Sequence, residues 1–293
     1  MRVLIFGGTG MLGHKLVQVL GEAGLDVFAT IRGTFSSIEP IGIFERSRIT
    51  ENVDINVIAV VENLIEAVKP NVVINAVGII KQLPTSNDVI ATLSANSIFP
   101  HRLAGLAKEF GFRLITISTD CVFDGAAGNY NEGDPANALD LYGRSKNLGE
   151  VAAANCLTLR TSIIGREIGT AHSLVEWFLE NPALAVKGYA NAIYSGFPTV
   201  VFADILSFLI HEHTGLSGLY HVSSHPISKY DLLVLIRESF GKDIEIERFE
   251  DFHIDRSLDS SRFRVATGFT PDSWPNMIER MHSDPTPYDK YRK

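Results

Sequence analysis

The 293-residue chain has only two cysteines, Cys121 and Cys156. That number cannot build the disulfide framework on which small secreted domains depend, so reduced thiols are expected. A basic excess is also missing. The 26 lysines and arginines face 34 acidic residues, giving a formal charge of −8. With no basic stripe either, a nucleic-acid partner is not expected. No apolar run reaches the roughly 18 residues that a bilayer span requires, so no membrane partner is expected. The opening MRVLIFGGTG carries one arginine and a short apolar run. That run ends in glycines without a small-residue cleavage pattern, which argues against a signal peptide. Histidines at metal-ligand spacing are absent, and no metal is assigned. No Pro/Gly/Ser-rich linker, internal repeat or low-complexity tract divides the chain. These absences leave a cytoplasmic, soluble protein. Its 45% hydrophobic content suffices for one large domain or two modest ones.

Strand-length apolar runs alternate with helical patterns through the first half. Strands are expected at Arg2–Phe6, Val27–Ile31, Val72–Asn75, Arg113–Ser118 and Cys156–Thr161, with helices at Met11–Ala23, Val57–Val68, Ser94–Phe110 and Ser145–Ala154. This rhythm predicts an α/β fold: a Rossmann-type, doubly wound parallel sheet covered on both faces. The strands are continuously apolar, as burial on both faces requires. Beyond residue 162 the rhythm loosens. Helices are expected at His172–Glu180, Phe202–Glu212, Ser228–Phe240 and Pro275–Met281, and short strands at Gly218–Val222 and Ile244–Arg248. The expected division is a nucleotide-binding domain over 1–162, with part of 196–225 returning to it, and a smaller α/β substrate lobe over 163–293. The tail HSDPTPYDKYRK offers little to bury and is expected to be mobile.

Between the first strand and the first helix lies GGTGMLG, with glycines at 7, 10 and 13. A tight turn, a close backbone approach to a pyrophosphate and close helix–sheet packing each favour glycine, and the helix N-terminus favours negative charge. The triplet alone is a weak signal; its position between strand and helix strengthens it. Gly7, Thr9, Gly10, Met11, Leu12 and Gly13 are the candidate loop contacts to a dinucleotide. Sites for NAD usually end the second strand with an acid that holds the ribose 2′-hydroxyl. Here that strand ends in Ala-Thr-Ile-Arg, with Arg32 in the place of the acid. A guanidinium can pair with a 2′-phosphate, so NADPH is the expected cofactor and NADH the alternative.

In DLYGRSKNLGE, residues 140–150, Tyr142 and Lys146 stand four apart and share a face if the segment is helical. A phenol titrates near 10, and a nearby ammonium lowers that value. Tyr142 can then donate a proton to a carbonyl oxygen as hydride reaches its carbon, with Lys146 also holding the nicotinamide ribose. The strand Arg113–Ser118 presents Ser118 and Thr119 at its carboxyl end, where open parallel sheets bind ligands. A tyrosine and lysine at this spacing also arise by chance as a surface pair; the glycine loop and the strand-end hydroxyls give the pair its meaning.

At these residues the sequence resembles the extended short-chain dehydrogenase/reductases, and within them the dTDP-4-dehydrorhamnose reductase family. GGTGMLG, Asn75-Ala76-Val77-Gly78, ISTDCVFDG, YGRSK, LRTS, GFPT, GLYHVSS and RSLDSSRF carry the resemblance over nearly the whole length. It implies Thr119, Tyr142 and Lys146 as a catalytic triad. It also implies cofactor contacts from Asp54, Ile55, Asn75, Ala76, Val77, Gly78, Asn96 and Ser118. Lys81, Thr199 and Arg256 are the candidate substrate contacts, and Arg166 is a further cation that could meet a diphosphate. The implied reaction is reduction of the C4 ketone of a 4-keto-6-deoxy nucleotide sugar, linked to dTDP or UDP, and the implied assembly a homodimer through the helices bearing Asn96 and Tyr142.

The sequence also departs from the family pattern. The tyrosine of STDYVF is Cys121 here, and IIKQLPTSND follows the cofactor segment. Related GDP-fucose synthases carry a cysteine at that offset and a histidine in a place resembling His172. Cys121 and His172 are therefore the residues of an alternative, an epimerase-reductase acting at C3 and C5. A cysteine is more commonly a small buried hydrophobe. Dehydratases carry Asp-Glu after the catalytic threonine, and here Asp120 is followed by Cys121. A further alternative is a catalytically inactive NADP-binding subunit.

Overall fold

The computed structural model describes residues 1–291. Seven strands form the main sheet: β1 (Arg2–Phe6), β2 (Asp26–Thr30), β3 (Ile49–Thr50), β4 (Val72–Asn75), β5 (Arg113–Thr119), β6 (Cys156–Thr161) and, far along the chain, β10 (Gly218–His221). Their spatial order is β10-β6-β5-β4-β1-β2-β3, and every pairing is parallel. The expected doubly wound sheet is present; six of its strands end within one residue of the sequence reading, and the two-residue β3 was not expected. Chain order reverses between β1 and β4, which opens a crevice beyond their carboxyl ends.

Alternate residues of β1 feed two cores. Val3 and Ile5 face a core shared with Leu12, Leu16 and Leu20 of the first helical segment, and with Phe202, Leu206 and Leu209. Leu4 and Phe6 face a second core with Val61, Ile65, Phe99 and Leu103. The helices concerned are α1 (Gly13–Glu22), α2 (Ile58–Val68), α4 (Phe99–Phe110) and α7 (Thr199–His211). Between α3 (Val89–Leu93) and α4 the expected continuous helix contains one π turn, Ser94–Ile98. Such turns cluster at functional sites, and this one carries Asn96.

The helix expected at Ser145–Ala154 instead runs from Leu141 to Leu148, as α5. Two local causes set its ends. The Asp140 side chain accepts the Gly143 N–H and caps the start. At the other end, Gly149 lies so close to the chain at Asn96 that a Cβ would sit 1.9 Å from the Asn96 carbonyl oxygen.

The second lobe holds a three-stranded sheet, β11 (Ile227–Ser228), β8 (Ala185–Tyr194) and β12 (Glu245–Asp255), in that order. The sequence reading missed β8. Its inward face is Val186, Gly188, Ala190, Ala192 and Tyr194, too poor in large apolar residues to stand out. Gly188 is needed there because a Cβ would lie 2.6 Å from Tyr230 of α8 (Lys229–Phe240) and 2.6 Å from Ile246. A two-residue pair, β7 (Ile163–Ile164) with β9 (Phe197–Pro198), helps join the lobes. The short α6 (Leu174–Glu180), α9 (Ser261–Thr267) and α10 (Trp274–His282) complete the chain.

The tail differs from its expectation. Thr286 and Tyr288 are buried, and Lys15 of α1 donates to both Asp284 and Thr286. Tyr288 brings one large ring and Asp284 one charge to a matching pocket on α1, enough to dock a segment of low apolar content. Arg292 and Lys293, the last of the expected mobile tail, lie outside the described residues.

Candidate active site

The glycine loop folds back on β2 and β4. Gly7 adopts φ +90°, a conformation that favours glycine, and a Cβ on Gly13 would stand 1.9 Å from the Gly7 carbonyl oxygen. Gly8 donates to the Thr30 carbonyl, and the Gly7 N–H donates to the Thr30 hydroxyl at 3.3 Å. Gly10 is different, since the nearest atom to its Cβ position is 3.4 Å away, an ordinary contact. The protein itself does not require glycine there, whereas a ligand approaching the backbone would. Thr9 and Met11 are half-buried at the rim, while the Leu12 side chain enters the core and leaves only its backbone to a ligand. Of the first-turn amides of α1, His14 donates to the Gly10 carbonyl and Leu16 to the Leu12 carbonyl, and the turn still points its N-terminal end toward the loop.

Beside this loop, the backbone of Ala76 lies 3.1 Å from where a Gly7 Cβ would be, with Val77 and the exposed Gly78 following. Asn75 is buried; its Oδ1 accepts the Val77 N–H, and its Nδ2 has no partner among the described residues. Arg32 is exposed two residues past β2, and among the described residues no hydrogen bond or ion pair engages its guanidinium. The loop that follows it brings the hydroxyls of Thr34 and Ser36 together at 3.0 Å. A Cβ-free approach at Gly10, amides at a helix N-terminus and an unpaired cation past β2 together fit a phosphorylated dinucleotide. Asp54 is exposed and accepts from Asn56, and Ile55 packs against the second core.

Thr119 ends β5 and faces Tyr142. Its hydroxyl donates to Asp120 at 3.0 Å and accepts the Cys121 N–H at 3.1 Å. Tyr142 lies on the first turn of α5, which packs so tightly on the end of β5 that a Cβ on Gly143 would stand 2.2 Å from the Cys121 carbonyl oxygen. Burial pushes the phenol well above its ordinary range, and the neighbouring Cys121 raises it further. A hydrogen-bonding contact with the Thr119 hydroxyl works in the opposite direction.

Lys146 shares α5 with Tyr142, but its ammonium donates to the Ile117 carbonyl at 2.6 Å. Burial pushes this amine down to about 8, against the opposing charge of Glu150. The expectation that Lys146 lowers the pKa of Tyr142 meets a larger opposing effect, because burial dominates at the phenol and pushes it up. A second cation, Lys81, has its Nζ 5.7 Å from the centre of the Tyr142 ring and pairs with Asp140 at 2.8 Å.

Several candidates are engaged elsewhere. Ser118 points away from Thr119 and donates to Glu150 at 2.7 Å. Glu150 also takes two bonds from Arg160, each 2.7 Å, in a largely buried fork. Asn96 commits its amide to the backbone of Ile79 and to Ser145, whose hydroxyl in turn donates to the Tyr142 carbonyl. It is a brace between the cofactor-side loop and α5. Arg256 donates to the carbonyls of Phe123 and Asp124, which tie it to the loop after β5. Thr199 is buried against Gly165. Arg166 pairs with Glu176 and Asp289.

Cys121 is pushed up to about 12 by burial and by Asp120, so its thiol is a poor base near neutrality. His172 is exposed, and its backbone N–H donates to Glu167. Among the described residues no hydrogen bond or ion pair joins the two. Sequence reasoning weighed Asp120 only against a dehydratase pair and gave it no site role; its buried carboxyl is raised by desolvation and accepts from Thr119. Sequence reasoning missed Glu150, which a four-residue spacing from Lys146 could have signalled.

The chain is similar to known proteins over most of its length. A dTDP-4-dehydrorhamnose reductase of Aggregatibacter actinomycetemcomitans is 25% identical, over 96% of this chain and 98% of its own. The methionine adenosyltransferase 2 subunit beta of Danio rerio is 32% identical, over 82% of this chain and 74% of its own. The solved dTDP-4-dehydrorhamnose reductase of Bacillus anthracis in complex with NADP superposes with a TM-score of 0.78 at 22% identity, covering 96% and 98% of the two chains. A family model described as RmlD substrate binding domain matches residues 1–283, and the chain belongs to that family.

Proposed function

We propose that this protein is an NADPH-dependent oxidoreductase that reduces the C4 ketone of a 4-keto-6-deoxy nucleotide sugar to the alcohol. The observation that carries the reading is the convergence of Thr119, Tyr142 and Lys146 at the carboxyl end of β5, in a member of this family. When bound, NADPH supplies the hydride. Gly7, Thr9, Gly10, Met11 and Gly13 hold its pyrophosphate, Arg32 its 2′-phosphate, and the 75–78 segment the inner face of the cleft. Tyr142 gives its Oη proton to the ketone oxygen as the carbon is reduced. Burial keeps that phenol protonated at neutral pH, which is the state a donor needs. Thr119 contacts the phenol, and its hydroxyl, turned from Asp120 toward the cleft, donates to the ketone oxygen and fixes it. Lys146, anchored on Ile117, reaches toward the nicotinamide ribose. Lys81, over the tyrosine ring, meets the substrate.

Residues 163–293 supply most of the substrate lobe, with β10 returning to the main sheet. Among the described residues no helix is long and apolar enough to cross a membrane, in keeping with a cytoplasmic enzyme. Exposed Ile90, Ile98 and Leu148 on the helices near Asn96 support a homodimer; light scattering of Ile98→Asp against the parent tests it.

The test of function is a panel of dTDP-, UDP- and GDP-linked 4-keto-6-deoxy sugars with NADPH, following loss of absorbance and the configuration of the product. Turnover that leaves C3 and C5 unexchanged in D2O supports a simple reductase. Deuterium at those carbons would favour the alternative with Cys121 and His172. The similarity to the methionine adenosyltransferase subunit favours a second reading, a dinucleotide-binding subunit without turnover. It predicts that no member of the panel consumes NADPH.

A further inference from the structure

The carboxy-terminal segment reaches the back of the phosphate loop. His14, on the first turn of α1, is fully buried; its Nδ1 lies 2.9 Å from the Gly10 carbonyl oxygen and its Nε2 2.8 Å from the Tyr288 hydroxyl. A carbonyl can only accept, so Nδ1 carries the proton. In the neutral ring Nε2 then accepts from the Tyr288 O–H. Desolvation keeps the ring neutral, pushing it down to about 4. The two rings also meet edge to face, with centroids 5.7 Å apart.

Further ties hold the segment in place. Lys15 pairs with Asp284 and donates to Thr286, and Gln18 donates to Thr286 as well. Arg166 lies over the Tyr288 ring at 4.6 Å and pairs with Asp289. The Tyr291 hydroxyl donates to the Pro40 carbonyl.

The target of this relay matters. Gly10 is the loop glycine whose Cβ side stays open, and its carbonyl shares a rigid peptide plane with the Met11 N–H. His14 holds that oxygen twice, through its backbone N–H at 3.1 Å and through Nδ1 at 2.9 Å, and so fixes the direction of the Met11 N–H. We propose that Tyr288, acting through His14, is a positioning residue of the dinucleotide site, so that docking of the 284–291 segment and binding of the dinucleotide reinforce one another. This deepens the proposed function and rests on it for the identity of the ligand. Coupling of this kind is reciprocal: a ligand that prefers the fixed loop must also hold the tail more firmly.

Two measurements test it. The first is the Kd of NADPH, by fluorescence, for the parent and for Tyr288→Phe, which keeps the ring and removes the hydroxyl. A rise of about fivefold or more is expected, the scale of one lost neutral hydrogen bond. An unchanged Kd in a folded variant would overturn the proposal, because a merely structural tail would lower Tm and leave affinity alone. The second uses the parent protein only. Saturating NADPH should slow amide hydrogen exchange in residues 284–291, and exchange that is indifferent to NADPH overturns the proposal whatever the variant does. If the parent binds no NADPH at all, the failure lies with the proposed function rather than with the relay.

Discussion

Gly143→Ala adds one methyl group in the catalytic helix. The new Cβ would lie 2.2 Å from the Cys121 carbonyl oxygen and 2.5 Å from the Ala138 Cβ. Neither neighbour is a flexible side-chain end: one is backbone at the mouth of β5 and the other a Cβ. Relief to a tolerable contact of about 3.2 Å requires α5 to retreat by about 1 Å from the end of β5. Tyr142 is adjacent in sequence, so its phenol moves with the helix, away from Thr119. A misplacement of about 1 Å can lower a rate about 100-fold. Overpacking of this type also destabilises by about 1–3 kcal/mol, offset by about 1 kcal/mol from the better helix propensity of alanine. The glycine loop is on other elements, so NADPH affinity should hold within a few-fold. Steady-state kinetics, NADPH titration and urea unfolding together give the three quantities. A kcat within twofold of the parent would refute the claim that close docking of α5 sets the proton donor.

Other consequences are independent of this one. Arg32→Ala should lower kcat/KM for NADPH roughly 10- to 100-fold, the scale of lost charge-assisted hydrogen bonds, and leave NADH nearly unaffected; equal losses with both cofactors would place Arg32 outside the 2′-phosphate site. His14 is held neutral in the folded state, down at about 4 from an ordinary 6.5, so unfolding takes up a proton between these values. Its contribution is intact above pH 6.5 and is lost as pH falls toward 4, by about 3 kcal/mol in all. Urea unfolding of the parent should therefore weaken over that range more than that of His14→Asn, and parallel losses would contradict the assignment. Glu150→Ala leaves Arg160 buried without its carboxylate, for a destabilisation of about 3–5 kcal/mol. A loss under 1 kcal/mol would mean that water already serves Arg160.

The main sheet was legible because its strands are buried on both faces and each ends at a turn or a helix start. Gly7 and Gly13 were legible for the same reason: a backbone constraint leaves a residue type behind. The lobe was harder to read. β8 uses Gly188, Ala190 and Ala192 on its inner face, where contact with α8 leaves no room for larger groups. The start of α5 is written in Asp140, whose side chain caps it, a signal that the expected start at Ser145 did not use. The site residues separate by what can be local. Tyr142 and Lys146 share one helix, and their spacing put them together. The uses of Asn96, Ser118 and Arg256 depend on partners 17 to 133 residues away, and no spacing encodes those. The electrostatics of Tyr142 were misjudged because burial, which a spacing does not reveal, outweighs a nearby charge. The tail was misjudged because Tyr288 and Asp284 dock as single residues on α1 rather than through a periodic face.

The most direct measurement follows one deuterium. NADPH labelled at the transferring C4 position is incubated with parent enzyme and a 4-keto-6-deoxy nucleotide sugar, and the product is read by NMR, alongside Tyr142→Phe. The account predicts label at C4 of the sugar and at no other carbon. For the variant it predicts cofactor binding within a few-fold of the parent and turnover lowered by about 100-fold or more, the scale of a lost general acid. Product without label at C4, or a variant that turns over at the parental rate, would contradict the assignment of Tyr142 as the proton donor opposite the hydride.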